Sequence, residues 1–266
     1  MASNRFIPLT QGNIKDIVCC PGGTDIADKE MKGDIYKTVS WRKEMMDKGM
    51  EGIVHYRDGI PAGFVEYMPS ETAPMPIIAP GACTLMCFHW KVLSDNGHLE
   101  EEFFMLEKTI EKVEDRFTGM AVLAYDHPSH FPISMMERLG FNTVETQDYL
   151  HLMWKPFKEV KDKPRFTKEV YFPETPASED QVIIEQGYSH RCAYSIHNAN
   201  RIQDMINNDI DSEKITHLLH TVDTRKDALK YSVSPWNWDW LYINGARFEM
   251  INVNTEQLKN DILERL

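Results

Sequence analysis

Two runs rich in β-forming residues, GIVHYR and IPAGFVEYMP, flank the dipeptide Asp58-Gly59. That arrangement is a strong hairpin signal and commits this part of the chain to a sheet. Upstream, DIYKTVSWRKEMMDK (34–48) places Ile35, Val39, Met45 and Met46 at helical spacing and stops near Gly49. Downstream, CTLMCFHWKV (83–92) reads as a buried strand, residues 99–116 as a helix and GMAVLAY (119–125) as a further strand. SMMERLGF follows as a short helix stopped by Gly140, and YLHLMWKPF as a closing strand. Helix, hairpin, strand, helix, strand, helix, strand is the order of a mixed α/β (α+β) domain, placed at residues 1–157.

Between Pro156 and Asp180 the composition changes, with Pro156, Pro164, Pro173 and Pro176 set among charged residues. Residues 158–180 are expected to be a linker or a chain wrapped in extended form. A second, smaller unit occupies 181–266: a strand from 181, a helix near 194–208, a strand near 215–222 and a helix near 224–231. A strand at Trp240–Ile243, a turn at Asn244-Gly245, a strand running to Val253 and a last helix from 255 complete it. This is a βαβ-type unit followed by a hairpin and a helix.

A formal charge of -12 argues against a nucleic-acid partner, which needs clustered cations facing phosphates, and fits a cationic or neutral small molecule better. The start, MASNRFIPLT, lacks a basic region followed by an apolar run. The long uncharged stretch Thr72–Trp90 is broken by Pro74, Pro76 and Pro80, so no membrane helix is expected. A soluble, cytoplasmic protein is the expectation. Five cysteines, at 19, 20, 83, 87 and 192, make no paired framework of the secreted type, and reduced thiols are expected.

The hairpin DGIPAGFVEYMP, the strands TLMCFHWKV and GMAVLAYD, and the helix and turn MMERLGFNTV together resemble the GNAT N-acetyltransferase superfamily over residues 3–157. The later stretches VIIEQGYSHRCAYSIHNANRI and WLYINGARF are similar to a thioredoxin-fold unit of the kind fused behind a GNAT domain in the YoaP-like branch. The resemblance implies an N-acyltransferase that uses acetyl-CoA and acts on a small-molecule acceptor bearing an amine. It places the cofactor along Trp90, Val92, Asn96, Gly97, His98 and Leu99, with the pyrophosphate on backbone N–H groups at a helix start. Of the usual glycine pattern only Gly97 is present, and Glu100, Glu101 and Glu102 follow it. Carboxylates suit the first turn of a helix but oppose a phosphate.

Acyl transfer to an amine needs a base, a polarised carbonyl and an acid for the departing thiolate. Met135 and Met136 stand where the resemblance leads one to look for an acidic Tyr, so Tyr125 is the candidate acid, and Asp126, His127 and Glu66 are candidate bases. His89 alternates with Cys87 on the cofactor strand and is read mainly as a core histidine. Cys83 and Cys87, four apart, are expected on one face of that strand. Cys19-Cys20 is read as packed or idle thiols, and His127 with His130 lacks further ligands, so no metal site is expected. His217 and His220 should project to opposite faces of their strand. In the second unit CAYS carries Cys192 but Ser195 in place of a resolving thiol, which excludes dithiol chemistry within one chain. Pro235 is a candidate to face Cys192, and Trp236, Trp238 and Trp240 a candidate aromatic stripe. The readings are thus an acetyltransferase, a non-catalytic relative that binds a ligand or protein, and a redox protein working through Cys192.

Overall fold

The computed structural model of the chain describes residues 3–17, 31–90, 99–126, 131–147, 149–167, 171–176, 181–210, 212–231, 240–248 and 255–266, the side chains of 90, 99–102, 209 and 212 excepted. The mixed α/β class expected from the sequence is what these residues form. Strands β1 (Asn4–Pro8), β2 (Glu51–Arg57) and β3 (Ile60–Pro69) open the large sheet. The two-residue β4 (Ile77–Ile78) stands apart from it, and β5 (Cys83–Trp90), β6 (Gly119–Ala124), β7 (Asn142–Gln147) and β8 (Leu150–Pro156) complete it in the order β1-β2-β3-β5-β6-β8-β7. Every pairing is antiparallel except β5 with β6.

The hairpin forms where Asp58-Gly59 foretold it. Both residues have positive φ, 51° and 82°, the conformation that matches a two-residue turn to the twist of its strands. Asn244-Gly245 repeats the device in the second unit, with φ of 51° and 77°.

Strand alternation divides the apolar side chains of the large sheet between two faces. On one, Val54, Phe64, Met68, Ala121, Leu123, Leu152 and Trp154 pack with Trp41 and Met45 of α1 (Lys32–Asp47). On the other, Val65, Tyr67, Leu85, Met120, Val122 and Met153 pack with Met105, Leu106, Ile110 and Val113 of α2 (Leu99–Val113) and with Met135 and Met136 of α3 (Ile133–Arg138). Burial of each large side chain contributes about 1.5–3 kcal/mol.

A bulge interrupts the alternation. Glu66 pairs with Cys87 but Tyr67 with Leu85, so Met86 is an extra residue on β5. Beyond it the parity reverses: Cys83 lies on the α2 face and Cys87 on the α1 face. The expectation that the two thiols share a face fails for this reason, since one inserted residue turns the rest of a strand over. Strands β1 and β7 were not expected either. NTVETQ is a mostly exposed edge strand with no apolar alternation to announce it.

The second unit has its own sheet of β10 (Val182–Tyr188), β11 (Ile215–Thr221), β12 (Trp240–Ile243) and β13 (Ala246–Phe248). The order is β11-β10-β12-β13, with β10 and β11 parallel and the others antiparallel. Its core packs Val182, Ile184, Leu241 and Ile243 against Ile202, Met205 and Ile206 of α4 (Ala193–Asp209) and against Leu258 and Ile262 of α6 (Thr255–Leu263). The short α5 (Arg225–Tyr231) follows β11. Gly187 has no alternative at its position, because a Cβ there would lie 2.2 Å from the Trp240 ring.

The proline-spaced segment is strapped to both sheets. Its β9 (Arg165–Phe166) pairs with β4, and the N–H of Phe166 donates to Glu145 at 2.6 Å. Further on, the Tyr171 hydroxyl (2.8 Å) and the N–H of Glu174 both donate to the buried carboxylate of Glu185. Among the described residues no helix is long and apolar enough to cross a membrane.

Two predictions follow from the packing. A Cβ on Gly119 would meet the Trp154 ring at 2.1 Å and the Lys155 carbonyl at 2.6 Å; Gly119→Ala is expected to lower stability by about 1–3 kcal/mol in urea denaturation. Glu51 is held down to about pKa 2, mainly by Arg116 and against its partial burial, with help from Lys112 and Tyr67. Its stabilisation is complete above the ordinary value of 4.5 and is lost as pH falls toward 2. Glu51→Gln should therefore lose stability at neutral pH and show a flatter melting-temperature profile between those pH values, with the difference shrinking in high salt.

Candidate functional site

The parallel ladder between β5 and β6 consists of two residue pairs, Cys83 with Met120 and Thr84 with Ala121. Beyond them β5 runs on to Trp90 while pairing with β3, and β6 runs on to Ala124 while pairing with β8. The two strands start side by side and part. The Met86 bulge supplies the cause, since a bulge bends its strand and sharpens the local twist. Peptide groups on the two facing edges are left outside the ladder, and such groups require other partners.

On the α1 face, beside this split, polar side chains are buried within the apolar packing. Glu66 of β3 is fully buried and accepts from Arg42 of α1 through both carboxylate oxygens, from Nε at 2.5 Å and from Nη2 at 3.2 Å. Cys87 is the cross-strand neighbour of Glu66. Tyr125, at the end of β6, is buried on the same face, with its ring edge-on to Tyr149 at 5.7 Å.

The second unit closes over this region with the start of α4. Ala193 lies in the same apolar cluster as Phe64 and Trp41. Arg191 is buried and donates from Nη1 to the Met75 sulfur at 3.3 Å, while Arg225 reaches the Met75 carbonyl at 2.6 Å. Trp41 Nε1 donates to the Asp223 carbonyl at 3.0 Å, and Asn200 donates to Asp34 at 2.9 Å. Asp223 in turn holds His190 through Nδ1 and the Ser189 hydroxyl at 3.0 Å.

The electrostatics follow from burial. Desolvation opposes the charge of Arg42, yet the paired Glu66 overrides it and raises the pKa of Arg42. Desolvation lowers Arg191; Cys87 and Cys192, where ionised, and the Glu66 carboxylate oppose this, and Arg42 adds to it. Burial, then the negative Glu66, pushes the Cys87 thiol up to about 11, against the pull of Arg191 and Arg42. Cys87 is therefore neutral at ordinary pH.

Of the candidate catalytic residues, the fold brings Tyr125 and Glu66 to one face. Glu66, a candidate base from the sequence, is half of a buried ion pair. Asp126 is exposed and sits at the start of α3, where Oδ1 accepts from the N–H of Ile133 at 3.3 Å. Trp90 is the last described residue of β5, and Leu99 begins α2, where a helix from 99 was expected. His127, Val92, Asn96, Gly97 and His98 lie outside the described residues, as do Cys19, Cys20, His130, Pro235, Trp236, Trp238 and the side chains of Trp90, Leu99, Glu100, Glu101 and Glu102. His89 lies within 6.3 Å of the Phe64 ring. Cys192 is the N-cap of α4 and makes no side-chain capping bond; Ser195 Oγ accepts from the N–H of Ser189 at 3.1 Å. His217 and His220 fall on opposite faces of β11: His220 pairs with Glu185 at 3.0 Å, and burial pushes His217 down to about 4. Among the described residues no group of three or more His, Cys, Asp or Glu could hold a metal.

Sequence reasoning missed Arg42 and the His190–Asp223 pair. For Arg42 a signal existed. Asp34, Thr38 and Arg42 recur every four residues on α1, a polar row along a face that buries Trp41 and Met45.

No family model matches the chain. It is 26% identical over 216 residues to the "Uncharacterized N-acetyltransferase YoaP" of Bacillus subtilis (strain 168), an alignment covering 75% of this chain and 77% of that one. Among solved structures it is similar to the aminoglycoside 6'-acetyltransferase type Ii, at 14% identity and a TM-score of 0.42, covering 59% of this chain and 99% of the other. It is also similar to the PaiA N-acetyltransferase of Thermoplasma acidophilum crystallised with coenzyme A, at 12% identity and a TM-score of 0.39, covering 58% and 99%.

Proposed function

We propose that the chain is an acetyl-CoA-dependent N-acyltransferase of the GNAT type acting on a small amine, carried on residues 1–157, with residues 181–266 as a thioredoxin-like companion that lacks dithiol chemistry. The observation that carries this reading is the β5–β6 split. Two parallel strands that part after two residue pairs leave a wedge whose edges carry peptide donors and acceptors, and an amide-bearing pantetheine arm satisfies such groups. The helix α2, the next described element after β5, offers at its start the N–H groups and positive dipole end that a pyrophosphate needs. The relative from Bacillus subtilis is named an N-acetyltransferase. For the second unit, the order β11-β10-β12-β13 with Cys192 opening the helix after the first strand supports the thioredoxin-like reading. Cys83, Cys87 and Cys192 form no disulfide among the described residues, which suits a reducing cytosol.

Bound acetyl-CoA supplies a thioester carbonyl open to attack by an amine. In this reading the backbone of β5 beyond the bulge would polarise that carbonyl, and Tyr125, the residue after β6, would give up a proton to the departing sulfur. The attacking nitrogen would release a proton to solvent as its bond to the acyl carbon forms and the carbon–sulfur bond breaks, and the proton that Tyr125 gives to the sulfur would be replaced from solvent. Glu66, held by Arg42, shapes this side of the site as a fixed negative charge.

Calorimetry is expected to show saturable binding of acetyl-CoA and of free CoA; no heat at millimolar cofactor overturns the reading. Tyr125→Phe is expected to retain acetyl-CoA affinity and to lower kcat about 100-fold in an assay of free-thiol release with a panel of small amines. An undiminished rate removes Tyr125 as the acid.

A further inference from the structure

Arg138 closes α3, and its guanidinium lies over the ring of Phe103 on α2, 3.9 Å from the ring centre. At that separation the cation rests on the ring. Arg138 is exposed, whereas Phe103 is half-buried and packs on the apolar cluster that α2 and α3 share. Among the described residues no carboxylate or other acceptor meets the N–H groups of Arg138. Arg42 and Arg116, by contrast, are taken up by Glu66 and Glu51. A cation suits the last turn of a helix, but that interaction asks nothing of a ring on the neighbouring helix. The ring fixes the guanidinium beside α2, and its exposure leaves the planar fork of donors open to solvent.

The position along α2 gives this cation its meaning. Phe103 lies four residues after Leu99, the first residue of the helix, hence about 6 Å along the axis and on the same side. A helical side chain leans toward the N-terminus, so the Phe103 ring covers the turn before its own Cα, and Arg138 lies there with it. That first turn is where the acyltransferase reading sets the pyrophosphate of the cofactor. It carries Glu100, Glu101 and Glu102 in a chain of formal charge -12, and coenzyme A is itself an anion. A cation held at this place with no carboxylate of its own offsets that repulsion. Backbone N–H groups at the helix start serve the pyrophosphate. The remaining phosphate of coenzyme A, on the 3' carbon of its ribose, lies one sugar away and needs a side-chain partner, and a guanidinium fork matches two of its oxygens.

Resting on the acyltransferase reading, we propose that Arg138, held on Phe103, binds the ribose 3'-phosphate of coenzyme A and makes that phosphate a condition of tight binding. The acyl donor is then free acetyl-CoA. A phosphopantetheine arm attached to a carrier protein has neither the ribose nor its phosphate, and it would meet the acidic helix start without the compensating contact.

The test compares coenzyme A with dephospho-coenzyme A, which lacks only the 3'-phosphate, and adenosine 3',5'-bisphosphate with adenosine 5'-monophosphate. Dissociation constants are read by calorimetry on the full chain, on Arg138→Gln and on Arg138→Lys, with thermal melts as a check on folding. Arg138 is exposed and makes no hydrogen bond within the described residues, so Arg138→Gln is expected to fold as the parent does. The parent is expected to prefer coenzyme A over its dephospho form by about 10-fold or more. Arg138→Gln should abolish that preference while leaving the affinity for the dephospho form unchanged, and Arg138→Lys should restore part of it. Added salt should narrow the preference in the parent and not in Arg138→Gln. Equal affinities in the parent, or a preference untouched in Arg138→Gln, overturn the proposal and leave the acyltransferase standing. An equal loss for both forms in Arg138→Gln places the arm on the pyrophosphate and overturns the assignment to the 3'-phosphate. Binding of the bisphosphate that depends on Arg138, in a protein that transfers no acetyl group, keeps the phosphate site and removes the acyltransferase. No binding by any of the four compounds overturns the proposal.

Discussion

A guanidinium and a carboxylate can be buried together only where each relieves the other of the cost of leaving water. The pair between Arg42 and Glu66 meets that condition and joins α1 to the middle of the large sheet. Removing either partner strands a charge, which costs more than an apolar pair in the same place would have gained. Its persistence amid methionines and aromatics is more readily understood as the fixing of a position than as a gain in stability. α1 is held at one rotation and one height over β3, and everything that meets the helix, including the first turn of α4, inherits that placement.

The fold was legible where local chemistry and periodicity agreed. Asp58-Gly59 and Asn244-Gly245 announce turns because few other residues tolerate positive φ, and the apolar spacing of 99–113 announces α2 because its inner face is apolar but for Thr109, whose hydroxyl donates back to the Met105 carbonyl. Edge strands were not legible. β7 buries almost nothing, so it leaves no alternation to read, and it is defined by pairing with β8 alone. The Met86 bulge was invisible for a different reason: CTLMCFHW is apolar on both faces, so a shift of register leaves the pattern unchanged.

The site was harder to read than the fold because it is made of long-range pairs. Tyr125 and Glu66 could be nominated from their strands, but nothing near Glu66 in sequence says that Arg42, 24 residues earlier, will hold it. Arg191 is further still from its surroundings, meeting Met75 across 116 residues. What could have been seen was the row Asp34, Thr38, Arg42. Polar groups at helical spacing on an otherwise apolar stripe mark a face that meets something other than a simple core.

The bulge in β5 bears on how this strand can change over time. Lengthening or shortening a surface loop leaves the side chains beyond it where they were. Deleting one residue between Leu85 and Cys87 would do the opposite, turning the outer half of the strand over and sending the Cys87 and His89 side chains to the α2 side while bringing Phe88 beneath α1. Kinship among chains of this kind is thus poorly measured here by whether a cysteine aligns with a cysteine. The count of residues between Thr84 and the end of the strand decides which chemistry faces which layer, and a gap placed one position wrong in an alignment would exchange the two.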